Sequence, residues 1–397
     1  MRRYVKRHRE RDSMTRTDVL VIAGARPNIP KVWTFLRGIE KLTGDRGERK
    51  LAVRVVHSGQ HYHELLGESF ARRLGISVSE NLNVGSCESD SSQMAALVDK
   101  IGSLIMRLNP AMVVVVGDVN TSVAGALVAS RSGIPVIHVE AGLRSGAWDP
   151  EEVNRKIITA SADYHLAPSE TAVCNLLSEG IPQNDVFLVG NTMAECHLAH
   201  RKERAANPVL QDLGLTEHGY CLFTVHKPIN LSRMSDVIRI LLAVAEKERV
   251  VFPCHPHTKM ALQHQWRGSV RTAHEILFAE PFDYFAFGRL LMGSRFVVTD
   301  SAGVQEEATV EQVRCLTIGP GTARPETVLQ GSNTIIGYDL DFTNCDWTRS
   351  FSCPPYWDER VSERIAAALR RILNSTTKRR WITRIANSPG GSDDGRP

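Results

Sequence analysis

Short apolar runs, most of them rich in Val and Ile and closed by Gly, Pro, Asp, Glu or His, recur along the whole chain. VLVIAG (19–24), AVRVVHSG (52–59), MVVVVGD (112–118), IPVIHVE (134–140), YHLAP (164–168) and DVFLVG (185–190) occupy the first half. YCLFTVH (220–226), VVFPCH (250–255), RFVVTD (295–300), VRCLTIG (313–319) and NTIIG (333–337) occupy the second. Continuous apolar runs of this length suit strands covered on both faces. Helical spacing fills the gaps, as in residues 92–108, 121–133 and 234–248. The alternation predicts an α/β fold with doubly wound parallel sheets. The strands are too many for one open sheet, so two Rossmann-like domains with a cleft between them are expected. The polar, Pro-containing stretch HRKERAANPVLQDLGL places the split near 195–216. The expected organisation is a disordered basic tail (1–17), a first domain (18–195), a second domain (196–375) and a closing segment that ends in a disordered tail (376–397).

In such folds ligands bind beyond the carboxyl ends of the strands. The residues that end the runs are unusually polar: Arg26, Gln60, Asp118, Glu140, Asn191, His226, His255, Asp300 and Arg324, or their neighbours. That bias points to a site in the interdomain cleft. GARPNIPK (24–31) lacks G-x-G-x-x-G, which argues against a dinucleotide fold. Its Arg26 and Lys31 lie near a helix start, where an anionic phosphate is favoured, although two solvated charges fit equally well. Asp118 in GDVNTS reads most simply as a helix cap. Glu140 in HVEAGLRSG, and Glu151 at the start of DPEEVNRK, are each unremarkable alone. Together the three carboxylates supply what proton abstraction beside a leaving group requires, because crowding raises one pKa and leaves another ionised. His226 and Lys227 offer donors to a departing diphosphate. Ser301, Ala302 and Gly303 open a helix whose amides suit a phosphate, unless Ser301 is only a cap, and Glu307 within that helix is a candidate acceptor for ribose hydroxyls.

Composition narrows the field. The 397 residues are 42% hydrophobic and 23% charged with a formal net charge of +4, the balance of a globular protein rather than a nucleic-acid binder. No apolar run is long enough to span a bilayer. The opening MRRYVKRHRER has no apolar segment after it, so it reads as a tail and not a signal, with Met14 as an alternative start. The end, NSPGGSDDGRP, reads as a second tail. Cysteines at 87, 174, 196, 221, 254, 315, 345 and 353 form no C-x-x-C pair. Neither a metal site nor a disulfide framework is predicted, and reduced cytoplasmic thiols are the simplest reading.

At these segments, from about Asp18 to Leu373, the chain resembles the non-hydrolysing UDP-N-acetylglucosamine 2-epimerases. The resemblance rests on co-linear motifs: GARPN…K (24–31), SGQHY (58–62), VGDVNT (116–121), HVEAGLRS (138–145), PEEVNR (150–155) and VGN (189–191). It continues through H-x-P-x-N (226–230), FP-x-HP (252–256), PFDY (281–284), TDS-x-G-x-QEEA (299–308) and RPETV (324–328). It implies a GT-B-like fold, a homodimer, no cofactor and inversion of C2 of UDP-GlcNAc by elimination and re-addition of UDP. It implies that Asp118, Glu140 and Glu151 are the acid/base group and that His226 assists the diphosphate. Arg26, Lys31, Ser301, Gly303 and Glu307 hold UDP on this reading, with Gln60, Arg144, His255, Ala302 and Arg324 completing the substrate site. Three positions depart from the family pattern: Lys227 for Arg, Ala302 for Gly and Ala323 for Glu. They leave open a different nucleotide or nucleoside sugar, and with it elimination, dehydration or hydrolysis on the same scaffold. A GT-B glycosyltransferase and a nucleotide-sugar sensor are the more distant alternatives.

Overall fold

The computed structural model describes residues 18–44, 51–59, 70–85, 87–146, 149–254, 256–266, 274–340 and 350–386. Both expected tails lie outside these, apart from the helical residues 376–386. The first sheet contains β1 (Val19–Ala23), β2 (Val53–His57), β3 (Val78–Asn81), β4 (Met112–Val116), β5 (Val136–Val139), β6 (Tyr164–Ala167) and β7 (Val186–Leu188). Its order is β3-β2-β1-β4-β5-β6-β7, with every pairing parallel. The second contains β8 (Cys221–Thr224), β9 (Val250–Pro253), β10 (Ile276–Ala279), β11 (Phe296–Thr299), β12 (Arg314–Ile318) and β13 (Asn333–Gly337). Its order is β10-β9-β8-β11-β12-β13, again parallel throughout. The longer helices are α1 (Asn28–Gly44), α2 (Asp90–Leu108), α3 (Asn120–Arg131), α4 (Pro150–Ser161), α5 (Glu170–Ser178), α6 (Thr192–Ala199), α7 (Met234–Ala245), α8 (Pro256–Gln265), α9 (Tyr284–Gly293), α10 (Ala302–Val310) and α11 (Val361–Ala386).

The apolar runs became strands because the sheets bury them on both faces. All five residues of β1 and of β4 are buried, and their side chains alternate between two separate cores. The two strands absent from the sequence reading, β3 and β10, are both sheet edges. VSEN in β3 is polar at three of its four positions, and ILFA in β10 is an apolar run of only four; both stay partly exposed. In each sheet the strand order reverses at its middle, between β1 and β4 and between β8 and β11. The loops after these four strands open a crevice at the switch point, where such sheets bind ligands.

Two boundary expectations change. The polar stretch after α6 is not a solvated tether, because Arg204 is fully buried, with its guanidinium over the Tyr284 ring at 4.2 Å. The start of α11, assigned by sequence to the second domain, packs on the first. Its Val361, Ile365, Leu369 and Ile372 recur on one face and join the core beneath α1. The helices approach closely because position 38 is Gly: a Cβ there would lie 2.5 Å from the Ile365 Cγ2. Buried Glu195 on α6 accepts from the Ser362 backbone N–H and hydroxyl, both at 2.5 Å, and so satisfies the α11 N-terminus. Among the described residues no helix is long and apolar enough to cross a membrane, and no cluster of His, Cys, Asp and Glu could hold a metal.

His138 on β5 and His165 on β6 are paired neighbours inside the sheet. His138 Nε2 donates to the Gly117 carbonyl at 2.9 Å, which ties down the loop after β4. Burial pushes the pKa of His138 down to about 4 and that of His165 down to about 3. Both are therefore neutral in the fold, while the unfolded chain binds protons near the ordinary value of 6.5. Their stabilising contribution is complete above that value and is lost as pH falls toward 4.

Two outcomes are expected. Thermal unfolding at pH 7.5 and pH 5 shows a lower midpoint at pH 5, and His165→Phe shrinks the difference; an undiminished difference counts against the buried-imidazole account. Gly38→Leu overpacks the α1–α11 contact and costs about 1–3 kcal/mol or more in denaturant titration. An unchanged midpoint would show that the helices part freely.

Candidate active site

The first-domain half of the crevice is built by the loops after β1, β4 and β5. Asn28 Oδ1 accepts from the Gly24 and Ala25 amides at 3.3 and 2.9 Å, and its Nδ2 donates to the Val116 carbonyl at 3.1 Å. This clip joins the loops after β1 and β4 and sets the first turn of α1, which carries Lys31. Gly117 has φ +68, and a Cβ there would sit 2.9 Å from Asn28 Nδ2 and 3.5 Å from Lys31 Nζ. Glycine therefore meets both the backbone and the space requirement. The next residue, Asp118, accepts from Arg155 Nε at 2.8 Å. Burial alone would raise its pKa, but Arg155, Lys31 and Arg324 together hold it below the ordinary carboxylate value. Glu140 follows β5 with φ +70, a left-handed conformation rare outside Gly, and its amide is tied to the Leu166 carbonyl at 3.1 Å. Its side chain is buried, with one oxygen on Lys31 Nζ.

The second-domain half is built by the loops after β8, β11 and β12. Asp300, 1% exposed, accepts from the His226 and Lys227 amides at 3.1 and 2.8 Å and from Asn230 Nδ2 at 2.9 Å. His226 Nδ1 lies 3.0 Å from Asp300 Oδ1. A carboxylate at that nitrogen fixes the tautomer and turns Nε2 outward. Burial would raise the Asp300 pKa, but His226, Asn230 and the Lys227 amide outweigh it and hold the carboxyl low. Ser301 stands at the N-cap of α10, yet its hydroxyl makes no capping bond. The capping alternative therefore fails, and the hydroxyl stands beside the unbonded first-turn amides that include Ala302 and Gly303.

Across the crevice, Arg324 Nη2 reaches Glu140 Oε1 at 2.5 Å, and its Nε is bonded to Glu306 on α10. Burial would lower the Arg324 pKa, but Glu306 and Glu140 together raise it. Arg26 Nη2 donates to the Phe282 carbonyl at 3.2 Å, and Ser169 binds Glu326. Farther along α10, His197 Nε2 contacts Glu311 Oε1 at 2.6 Å, and its Nδ1 faces Glu307 at 3.7 Å. The Glu307 carboxyl is held low: burial pushes it up, but His197, Arg204 and Arg26 outweigh that.

Glu140, Lys31 and Arg324 thus meet in one charged network, with Asp118 held by the charges of Lys31 and Arg324, while Arg26 and Glu307 act on each other. Glu151 does not join. It is exposed, and the carboxylate that engages Arg155, the Ser145 amide and the Ser145 hydroxyl is its neighbour Glu152. Asp149 caps α4 and Pro150 opens it. Glu151 lies three and four residues before Asn154 and Arg155, which both reach Asp118, so it shares their helical face. Arg144 makes a fork on Glu179 at 2.7 and 2.6 Å and contacts Thr159 at 3.0 Å, and its Nε lies 3.8 Å from Glu152, so it touches the network only at its edge. Asn191 is the cap of α6. Gln60 and His255 lie outside the described residues. Arg155 and Glu306 received no role from sequence, although the polar run QEE inside a short helix flags Glu306; the His197–Glu311 pair left no local signal at all.

A sequence-family profile described as UDP-N-acetylglucosamine 2-epimerase matches residues 45–370. A UDP-N-acetylglucosamine 2-epimerase of Methanocaldococcus jannaschii is 35% identical over 328 residues, covering 80% of this chain and 87% of that one. A UDP-2,3-diacetamido-2,3-dideoxy-D-glucuronate 2-epimerase of Pseudomonas aeruginosa is 30% identical, covering 89% and 99%. Among solved structures, the Methanocaldococcus jannaschii UDP-GlcNAc 2-epimerase in complex with UDP-GlcNAc and UDP superposes with a TM-score of 0.80 at 32% identity, covering 89% of this chain and 99% of that one. With the two switch-point crevices, the motifs that line them and these matches in agreement, the chain belongs to the UDP-N-acetylglucosamine 2-epimerase family.

Proposed function

We propose that the protein interconverts UDP-GlcNAc and UDP-ManNAc by eliminating UDP and adding it back. The observation that carries this reading is the convergence of two carboxylates, Asp118 and Glu140, with two cations, Lys31 and Arg324, opposite the open N-terminus of α10. In the forward half-reaction a carboxylate takes the proton from C2, the C1–C2 double bond forms, and the C1–oxygen bond breaks with its electron pair leaving on UDP. In the return half-reaction a second group, which enters the cycle protonated, delivers its proton to the opposite face of C2, the diphosphate oxygen re-forms its bond to C1, and exchange with solvent removes the proton from the first group and restores it to the second. Carboxylates on different loops provide the two faces that inversion needs. Lys31, Arg324, Arg26 and the α10 amides offset the charge that grows on the diphosphate. His226, oriented by Asp300, presents Nε2 to the same leaving group. Glu307 is the acceptor assigned to the ribose, Glu151 is the third carboxylate brought by α4, and a homodimer belongs to the same proposal.

The two similar enzymes named above carry different sugars in their names, so the test uses both a UDP-N-acetylhexosamine and a UDP-diacetamido uronate. In D2O, wild-type protein with UDP-GlcNAc should place deuterium at C2 and accumulate UDP-ManNAc by proton NMR. Asp118→Asn and Glu140→Gln should each slow exchange by about 10²–10⁴-fold. Free N-acetylmannosamine with UDP would identify a hydrolase, and exchange confined to the uronate would relocate the substrate. Silence with both sugars overturns the reading.

A further inference from the structure

Glu306 stands out among the buried carboxylates. It sits within α10 at 1% exposure, with one oxygen on Arg324 Nε. Its Oε2 is buried with no hydrogen-bond partner among the described residues. The same guanidinium is shared with Glu140 across the crevice at 2.5 Å, so two carboxylates from opposite domains draw on one cation. The charged groups acting on Glu306 are Arg324 from the loop after β12, Glu140 from the loop after β5 and Lys31 from α1. Its helical neighbours are occupied elsewhere: Gln305 accepts from Thr322 at 2.5 Å, and Glu307 faces His197. Burial pushes the Glu306 carboxyl up, Arg324 opposes this, and Glu140 adds to the rise.

The two carboxylates are not equivalent. Glu140 has Lys31 in contact as a second cation, whereas Glu306 touches the guanidinium alone and feels Lys31 only at longer range. A diphosphate entering the crevice competes for Arg324. When it does, Glu140 keeps its partner, but Glu306 becomes a buried charge without compensation, which a low-dielectric site does not tolerate. Neutralisation by a proton is the ordinary response of such a group.

We propose that Glu306 is a positioning residue that acts through Arg324: on nucleotide binding it takes one proton from solvent at Oε2, frees the guanidinium for the diphosphate, and returns the proton when the nucleotide leaves. This rests on the reading that the crevice binds UDP, and it explains how a site already rich in carboxylates admits an anion. Glu140 keeps its contact with Lys31 throughout.

The test is calorimetric titration of the protein with UDP at pH 8, where the UDP phosphates are already ionised, in buffers of different ionisation enthalpy. Wild type should take up about one proton per UDP bound, from the slope of observed enthalpy against buffer enthalpy. Glu306→Gln should still bind UDP, with that uptake lost. Binding of UDP without proton uptake, or uptake undiminished in Glu306→Gln, overturns the inference and leaves nucleotide binding intact. Failure of wild type to bind UDP takes down both. Should Glu306→Gln not fold, the UDP-minus-free infrared difference spectrum of wild type decides: a new protonated-carboxyl stretch is expected, and its absence refutes the proposal.

Discussion

The crevice depends on one carboxylate held between two cations that belong to different domains. Glu140 has Lys31 on one oxygen and Arg324 on the other, and all three side chains are less than a tenth exposed. Removing one partner from such a group leaves an uncompensated buried charge, which typically costs about 3–5 kcal/mol. The backbone shows the same demand. Glu140 adopts a left-handed conformation at φ +70, a strain on the order of 1–3 kcal/mol that persists only where its surroundings over-determine it. The Leu166 carbonyl, the absence of a side chain at Gly117 and the two ion pairs supply that determination.

Topology explains why these groups meet. Each sheet reverses its strand order at its centre, and each reversal leaves a gap at the carboxyl edge that no crossover helix covers. In the first sheet the gap receives the loops after β1 and β4, with Lys31 and Asp118. In the second it receives the loops after β8 and β11, with His226, Asp300 and the start of α10. Packing of α6 against the end of α10, through His197 with Glu311, joins the halves and brings the gaps face to face. The chemistry is therefore a property of the junction and of neither sheet alone.

Much of this could be read along the chain. Doubly buried strands are continuous in sequence, so β1, β4, β5, β8 and β11 were legible as apolar runs, and the polar residues that close them marked the crevice. Edge strands β3 and β10 were not, because one is mostly polar and the other an apolar run of only four residues. Contacts made by distant residues were also silent: the face of α11 that finds α1, the buried Arg204 and the His197–Glu311 pair depend on approaches that no local pattern records. Within the motifs, the residue type was visible and its engagement was not. In PEEVNR the second glutamate, not the first, is drawn into the ion network. In HVEAGLRS the arginine is taken by Glu179, and in QEEA the first glutamate shares Arg324 with the opposite domain. Which of two neighbouring glutamates is engaged is decided by packing, which no local pattern records.

The most direct test of the Glu140 clamp is the affinity of the Glu140→Gln protein for UDP, measured against wild type by calorimetry. If Glu140 and the nucleotide compete for Arg324, removing the carboxylate charge should tighten UDP binding by about tenfold, ~1.4 kcal/mol, even as turnover is lost. Weaker or unchanged binding would contradict the account, since it would mean that Arg324 does not face the nucleotide.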